Sequence, residues 1–263
     1  MRRSAALLLS LLLCAPACDR RPAASPVDAP VELRVAAAAD LARAFRELGT
    51  TFERATGERV VFTFGSTGLL AKQIAEGAPF DVFASANVSF VDDLAKRGAV
   101  VRDTKALYAR GRIVVYVRPG ARVPERLEDL ARPEYARIAL ANPEHAPYGK
   151  AARQALERAG ILGAVQSRFV FGENVQQTQQ FAETGNAEVA IIAMSLAIGS
   201  RGGWLEVSDS LHDPIEQAIV VTSRSARGEL ARRFAQFVNA PDGRAVMRQY
   251  GFLLPGEIIS RAP

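Results

Sequence analysis

The stretch Phe62-Thr63-Phe64-Gly65-Ser66-Thr67-Gly68 runs from aromatic and β-branched residues, which favour a strand, into small hydroxyl residues, which favour a helix start. Leu69, Leu70 and Ile74 give the next helix an apolar side, and Gly77 ends it. Ser66 or Thr67 stands where the N-cap belongs. Backbone N–H groups at such a start lack acceptors within the helix and carry positive partial charge. The turn can therefore hold an anion without Lys or Arg. One such turn also reads as an ordinary capped helix, so the other turns decide.

Upstream, Leu33-Arg34-Val35-Ala36-Ala37-Ala38-Ala39 is strand-like, and Asp40 opens a helix as its N-cap, with Leu41, Phe45, Leu48 and Phe52 at helical spacing before Gly57. Downstream, Asp81-Val82-Phe83-Ala84-Ser85 and Ile113-Val114-Val115-Tyr116-Val117 read as strands, with a helix carrying Phe90, Val91 and Leu94 between them. The same parts recur after Pro119-Gly120. Ile138-Ala139-Leu140-Ala141 leads through a loop into a helix at Tyr148, and Phe169-Val170-Phe171 leads into a helix at Val175. Residues 189–193 and 218–221 are further strands, and helices follow from about Ser225 and from Pro241.

Alternating strands and helices predict an α/β fold of mostly parallel sheets flanked by helices, with ligands outside the carboxyl ends of the strands. Four strand-to-helix turns in two groups are most economically placed on either side of a cleft. The expected lobes are 32–113 with 222–263, and 114–221, the chain crossing between them near 112–116 and 215–221.

Residues 1–17 are a different material. Arg2-Arg3, an apolar run and Ala15-Pro16-Ala17 before Cys18 make a secretory signal, too short for a membrane-spanning helix. Lipidation of Cys18 fits this pattern, as does ordinary cleavage after Ala17. Residues 18–31, rich in Pro and Ala, read as a tether. Cys14 and Cys18 are the only cysteines, so the mature fold has no disulfide and no Cys-ligated metal. Removal of Arg2 and Arg3 lowers the net charge of +5 by two, to +3, and the basic residues are interspersed with acids. Nucleic acid is not an expected partner. Of 263 residues, 49% are hydrophobic and 23% charged, the balance of a folded globular chain.

Enzyme readings find little support. The mature chain has no thiol nucleophile, its two histidines, His145 and His212, lie far apart, and the Walker and dinucleotide glycine patterns are absent. Phe64 replaces the Gly that a nucleophile elbow needs two residues before Ser66. No cofactor and no protein-ligated metal cation are expected.

Four pieces together resemble the periplasmic molybdate-binding proteins of ABC transporters: Phe64-Gly65-Ser66-Thr67-Gly68; Gly77-Ala78-Pro79-Phe80-Asp81-Val82-Phe83-Ala84-Ser85-Ala86; Ala141-Asn142-Pro143-Glu144-His145-Ala146-Pro147-Tyr148-Gly149; and Tyr250-Gly251-Phe252. The resemblance spans about residues 33–252. It implies the two-lobed type II binding-protein fold, a tetrahedral oxyanion held between the lobes by neutral donors, and delivery of molybdate or tungstate to a cognate ABC permease. It also implies an exported monomer, with the membrane reached only through a lipid anchor. The alternatives are the same fold with a sulfate-like or small organic anion, or a periplasmic enzyme. Matched residue by residue, the implied ligand-binding positions are Ala39, Asp40, Ser66, Thr67, Tyr148 and Val175. Ala193 stands where one branch of the family has a Tyr, and Tyr148 matches the Tyr of another branch.

Asp40 departs from the Ser or Asn usual in that family. A carboxylate about 4 Å from one negative charge costs roughly 4 kcal/mol at an effective dielectric of 20, and about twice that against a dianion. Three arrangements avoid this: Asp40 caps its own helix with the carboxylate turned aside, it is protonated, or the ligand is not a dianion. The strong N-cap preference of Asp makes capping the expectation.

Overall fold

The computed structural model describes residues 32–257. The expected signal segment, tether and lipidation site at Cys18 lie outside the described residues. The chain begins with β1 (Glu32–Ala38), a 3-10 turn (Ala39–Leu41) and α1 (Ala42–Thr56). There follow β2 (Arg59–Gly65), α2 (Thr67–Ala75), β3 (Val82–Ser85), α3 (Val88–Lys96) and β4 (Ala106–Gly111). The middle comprises β5 (Ile113–Val117), β6 (Ile138–Ala141), α4 (Pro147–Arg158), α5 (Leu162–Val165), β7 (Phe169–Gly172), α6 (Val175–Glu183), β8 (Val189–Ala193), α7 (Met194–Ala197) and β9 (Gly203–Glu206). Last come β10 (Ile215–Val221), α8 (Gly228–Asn239) and α9 (Pro241–Gln249).

The strands form two five-stranded sheets, ordered β2-β1-β3-β10-β4 and β7-β6-β8-β5-β9. In each, one strand runs against the other four: β10 in the first sheet and β5 in the second. Both are entered directly after the chain changes sheets. The first change is at Arg112, between β4 and β5. The second lies between β9 and β10, with Val207 still held to the second sheet by its N–H on the Ile113 carbonyl at 3.1 Å. The expected second lobe, 114–221, is corrected on this point. β10 pairs with β3 on one side and β4 on the other, so Ile215–Val221 belong to the first sheet.

Helix α1 is amphipathic, and its Phe45, Leu48 and Phe52 are fully buried. Phe45, Phe52, Phe62 and Phe234 meet with neighbouring ring centroids 5.3 to 6.2 Å apart. Such pairs add about 0.5–1.5 kcal/mol each beyond burial. Leu70 and Ile74 of α2 and Val91 and Leu94 of α3 form a second cluster with Ala36, Phe83, Ala218 and Val220 of the first sheet. In the second sheet, α4 and α6 pack on β6 and β8. Gly57 ends α1 at φ 75°, its N–H on the Glu53 carbonyl at 2.8 Å, as the sequence pattern predicts.

The start of α4 presses on the end of β6. A Cβ added to Gly149 would stand 1.9 Å from the Ala141 carbonyl oxygen and 2.7 Å from its carbon, so backbone would have to move. Gly149→Ala is expected to cost about 1–3 kcal/mol of stability. A urea midpoint unchanged from the parent at equal m-value would contradict that close approach.

Candidate functional site

Four helix starts meet at one place. The Ala39–Leu41 turn and α2 come from the first-sheet side, α4 and α6 from the second, and together they surround a small cavity. Ala39, Asp40, Ser66, Thr67, Tyr148 and Val175, the six residues singled out from sequence, all line it. Its free volume is about 10 Å³, room for about one water. Among the described residues, no Lys or Arg lines it.

Three of these starts carry no side-chain cap. Ala38 and Ala146 hold the N-cap positions before the Ala39 turn and α4, and neither has a polar side chain. Ser66 is the N-cap of α2, yet its hydroxyl makes no bond to its own helix. At α6, Asn174 caps the N–H groups of Gln176 and Gln177 at 3.0 and 3.2 Å and leaves that of Val175. First-turn N–H groups without caps are donors waiting for an acceptor.

The hydroxyls have defined partners. Ser66 Oγ lies 2.7 Å from the His145 carbonyl oxygen and 2.8 Å from His145 Nδ1. A hydroxyl has one proton, so donation to the carbonyl requires Nδ1–H to donate to Ser66 Oγ. The Gly68 N–H also bonds the His145 carbonyl, at 2.9 Å, which latches α2 to the loop before α4. By sequence His145 reads as a plain loop residue, and its bonds across the cleft emerge only from the fold. Thr67 Oγ1 accepts the Ala86 N–H at 3.2 Å, leaving its own proton to give.

Asp40 does not cap its helix. The 3-10 turn begins one residue early, at Ala39, so Asp40 lies inside it, fully buried, and makes no capping bond. The capping expectation is thus overturned. Its Oδ2 instead accepts from Gln217 Nε2 at 2.7 Å and from the Tyr148 hydroxyl at 3.0 Å, while Ser195 Oγ donates to its backbone carbonyl at 2.7 Å. Tyr108 donates to Gln217 Oε1 at 2.7 Å and extends the chain. Tyr148 is itself buried within the first turn of α4, not exposed in a loop. Asp40 Oδ1 has no hydrogen-bond partner among the described residues. Gln217 stands beside Glu216 at the start of β10, and only the fold shows that Glu216 is exposed and Gln217 buried.

Burial pushes the Asp40 carboxyl up from 3.8 to about 6, against the lowering pull of the bonds from Gln217 and Tyr148. Burial and the Asp40 charge hold both tyrosines well above their usual range, so they stay protonated. A raised carboxyl favours folding below pH 3.8, and that contribution is lost as pH rises towards and through about 6. At about 1.4 kcal/mol per pH unit the loss is about 3 kcal/mol. An Asn at this position keeps an acceptor for Tyr148 and Gln217 but does not titrate. Urea unfolding of Asp40→Asn and parent should therefore diverge in favour of the variant by about 2.4 kcal/mol between about pH 4 and pH 7.5. A pH-independent difference would contradict the buried charge.

Residues 33–253 match the family of bacterial extracellular solute-binding proteins. The molybdate-binding protein ModA of Rhodobacter capsulatus is 33% identical over 84% of this chain and 88% of its own. ModA of Azotobacter vinelandii is 32% identical over 84% and 89%. The solved periplasmic molybdate-binding protein of Azotobacter vinelandii superposes with a TM-score of 0.81 at 30% identity, covering 85% of this chain and 99% of that one. The sulfate-binding protein SubI of Mycobacterium tuberculosis, at 17% identity and a TM-score of 0.71 over 86% and 88%, shares the fold. Two sheets joined by paired crossings, with helix starts converging between them, are in this chain the architecture of its family: it belongs to the bacterial extracellular solute-binding proteins.

Proposed function

We propose that this protein captures molybdate or tungstate outside the cytoplasm and delivers it to a cognate ABC permease. The observation that carries the reading is the convergence of four helix starts, with the hydroxyl residues Ser66, Thr67 and Tyr148 and the single carboxyl of Asp40, on one cavity. A tetrahedral dianion offers acceptors in several directions at once, which suits donors arriving from two sides. Solvated Lys and Arg would bind many anions, whereas backbone N–H groups fixed by helices select by shape. The likeness to molybdate-binding proteins at about a third identity supports the same ligand class.

In this reading Ala39, Asp40, Ser66, Thr67, Tyr148 and Val175 face the anion, and the protein is a monomeric carrier with no catalytic step. Export follows from the leader at residues 1–17, with Cys18 as the lipid anchor to the outer face of the membrane. A cavity with room for about one water admits a four-oxygen anion only as the lobes part, so loading is an opening and closing of the cleft.

Calorimetry should give one site for molybdate and one for tungstate, competing with each other, and a hundredfold excess over Kd should stabilise the fold by about 2.7 kcal/mol. Absence of any molybdate-induced rise in melting temperature would defeat the reading. Tyr148→Phe removes the hydroxyl joining α4 to Asp40 and should weaken binding by about 1–3 kcal/mol, measured in the same titration with the fold verified by circular dichroism.

A further inference from the structure

We propose that Asp40 is the specificity-determining group of this cavity: it meets the oxyanion only as a carboxylic acid, donating from Oδ1, so that each anion bound brings one proton in from solvent. This rests on the oxyanion reading above and deepens it.

The geometry assigns unequal tasks to the two carboxyl oxygens. Oδ2 is satisfied by Gln217 from β10 and Tyr148 from α4. Oδ1 belongs to a fully buried residue lining the cavity and has no partner among the described residues. A bare carboxylate oxygen there could only accept, and every oxygen of a fully deprotonated anion also only accepts. One proton placed on Oδ1 turns two opposed acceptors into a donor and an acceptor and removes the carboxylate charge from beside the dianion.

Among the described residues, no nearby cation is placed to neutralise Asp40 instead. Tyr148 of α4 and Tyr108 of β4 are phenols, Gln217 is neutral, and Ser195 of α7 is spent on the Asp40 carbonyl. Arg43, the nearest basic residue on α1, is drawn to the carbonyls of Leu196, Ile198 and Gly199. Arg46 lies over the Phe64 ring. α6 and β2, which also pack on the Ala39–Leu41 turn, carry charge only at their far ends, Glu183 and Arg59. His145 is engaged by Ser66. The carboxyl, raised to about 6 by burial, is mostly ionised at about pH 7.5 before the anion arrives, so the proton must come with it.

The test is calorimetry of the purified protein and of Asp40→Asn with molybdate and, separately, hydrogen phosphate, in two buffers of different ionisation enthalpy at about pH 7.5. The parent is expected to take up close to one proton per molybdate and the Asn variant none. The parent's Kd should rise about tenfold per pH unit above about pH 6.5, the variant's staying level. Molybdate binding by the parent with no proton uptake would overturn this inference and leave the molybdate reading standing. So would a folded Asn variant that no longer binds. Binding of hydrogen phosphate but not molybdate would make Asp40 an acceptor for the ligand's own proton and sink both. If neither anion binds the parent, the oxyanion reading falls and carries this inference with it. Should the Asn variant fail to fold, the parent's own proton count and pH slope decide.

Discussion

A buried N–H group without an acceptor costs about as much as a lost hydrogen bond, and helices produce such groups at every start. Most proteins answer with a capping side chain or with water. Here the starts of α2, α4 and the Ala39 turn lack a side-chain cap where they meet the cavity, and the N-cap of α6 spends its oxygen on Gln176 and Gln177. The Ala-rich end of β1, Ala146 before α4, and Gly149, which lets α4 press onto the Ala141 carbonyl, all follow from bringing backbone close to one point. Side chains large enough to cap would fill the space that the donors surround. The small residues of the cleft are thus the counterpart of its unfilled donors.

The same constraint accounts for what holds the cleft shut in this structure. Ser66 and the Gly68 N–H spend donors on His145, and Tyr148 spends its proton on Asp40. Away from the cavity, Arg43 of α1 reaches three carbonyls at and beyond the end of α7, a cation on a helix C-terminus. Each of these bonds joins an element of the first sheet to one of the second, so closure replaces water on polar groups with partners across the cleft.

Much of this was legible in the sequence because it is local. Strand-to-helix turns, their glycine stops and the apolar spacing of α1 are read within a dozen residues, and the four turns fall into two groups by their order along the chain. What escaped is long-range. β4, Ala106-Leu107-Tyr108-Ala109-Arg110-Gly111, has no clean alternation and an exposed Leu107, and its place at the sheet edge depends on β10 over a hundred residues away. β10 itself reads as a strand, but nothing within it says which sheet it joins. Asp40 shows a different failure. Whether it caps or enters the turn depends on one residue of register, and the turn starting at Ala39 moved its carboxylate from the helix end to Gln217 and Tyr148, residues far away in the chain.

The paired crossings explain why such distant residues can serve one site. Each sheet holds a strand that is entered directly from the other sheet and runs against its neighbours; the second sheet is one continuous piece of chain, β5 to β9, while the first is built from both ends, β1 to β4 with β10. At the first crossing Arg112 is tied from three sides: its guanidinium reaches Glu206 at 2.9 Å and the Gly251 carbonyl at 3.1 Å, and its own carbonyl accepts the Met194 N–H at 2.9 Å. Two short connections, one pinned in this way, leave the lobes few directions in which to move apart. Gln217 sits on β10, just past the second crossing, and Tyr148 on the opposite lobe, yet both bond the same oxygen of Asp40. Opening the cleft must break the Tyr148 bond while the Gln217 bond, made within one lobe, can persist. The two partners of Oδ2 are therefore unequal: one sets where the carboxyl points, and the other reports whether the lobes are closed.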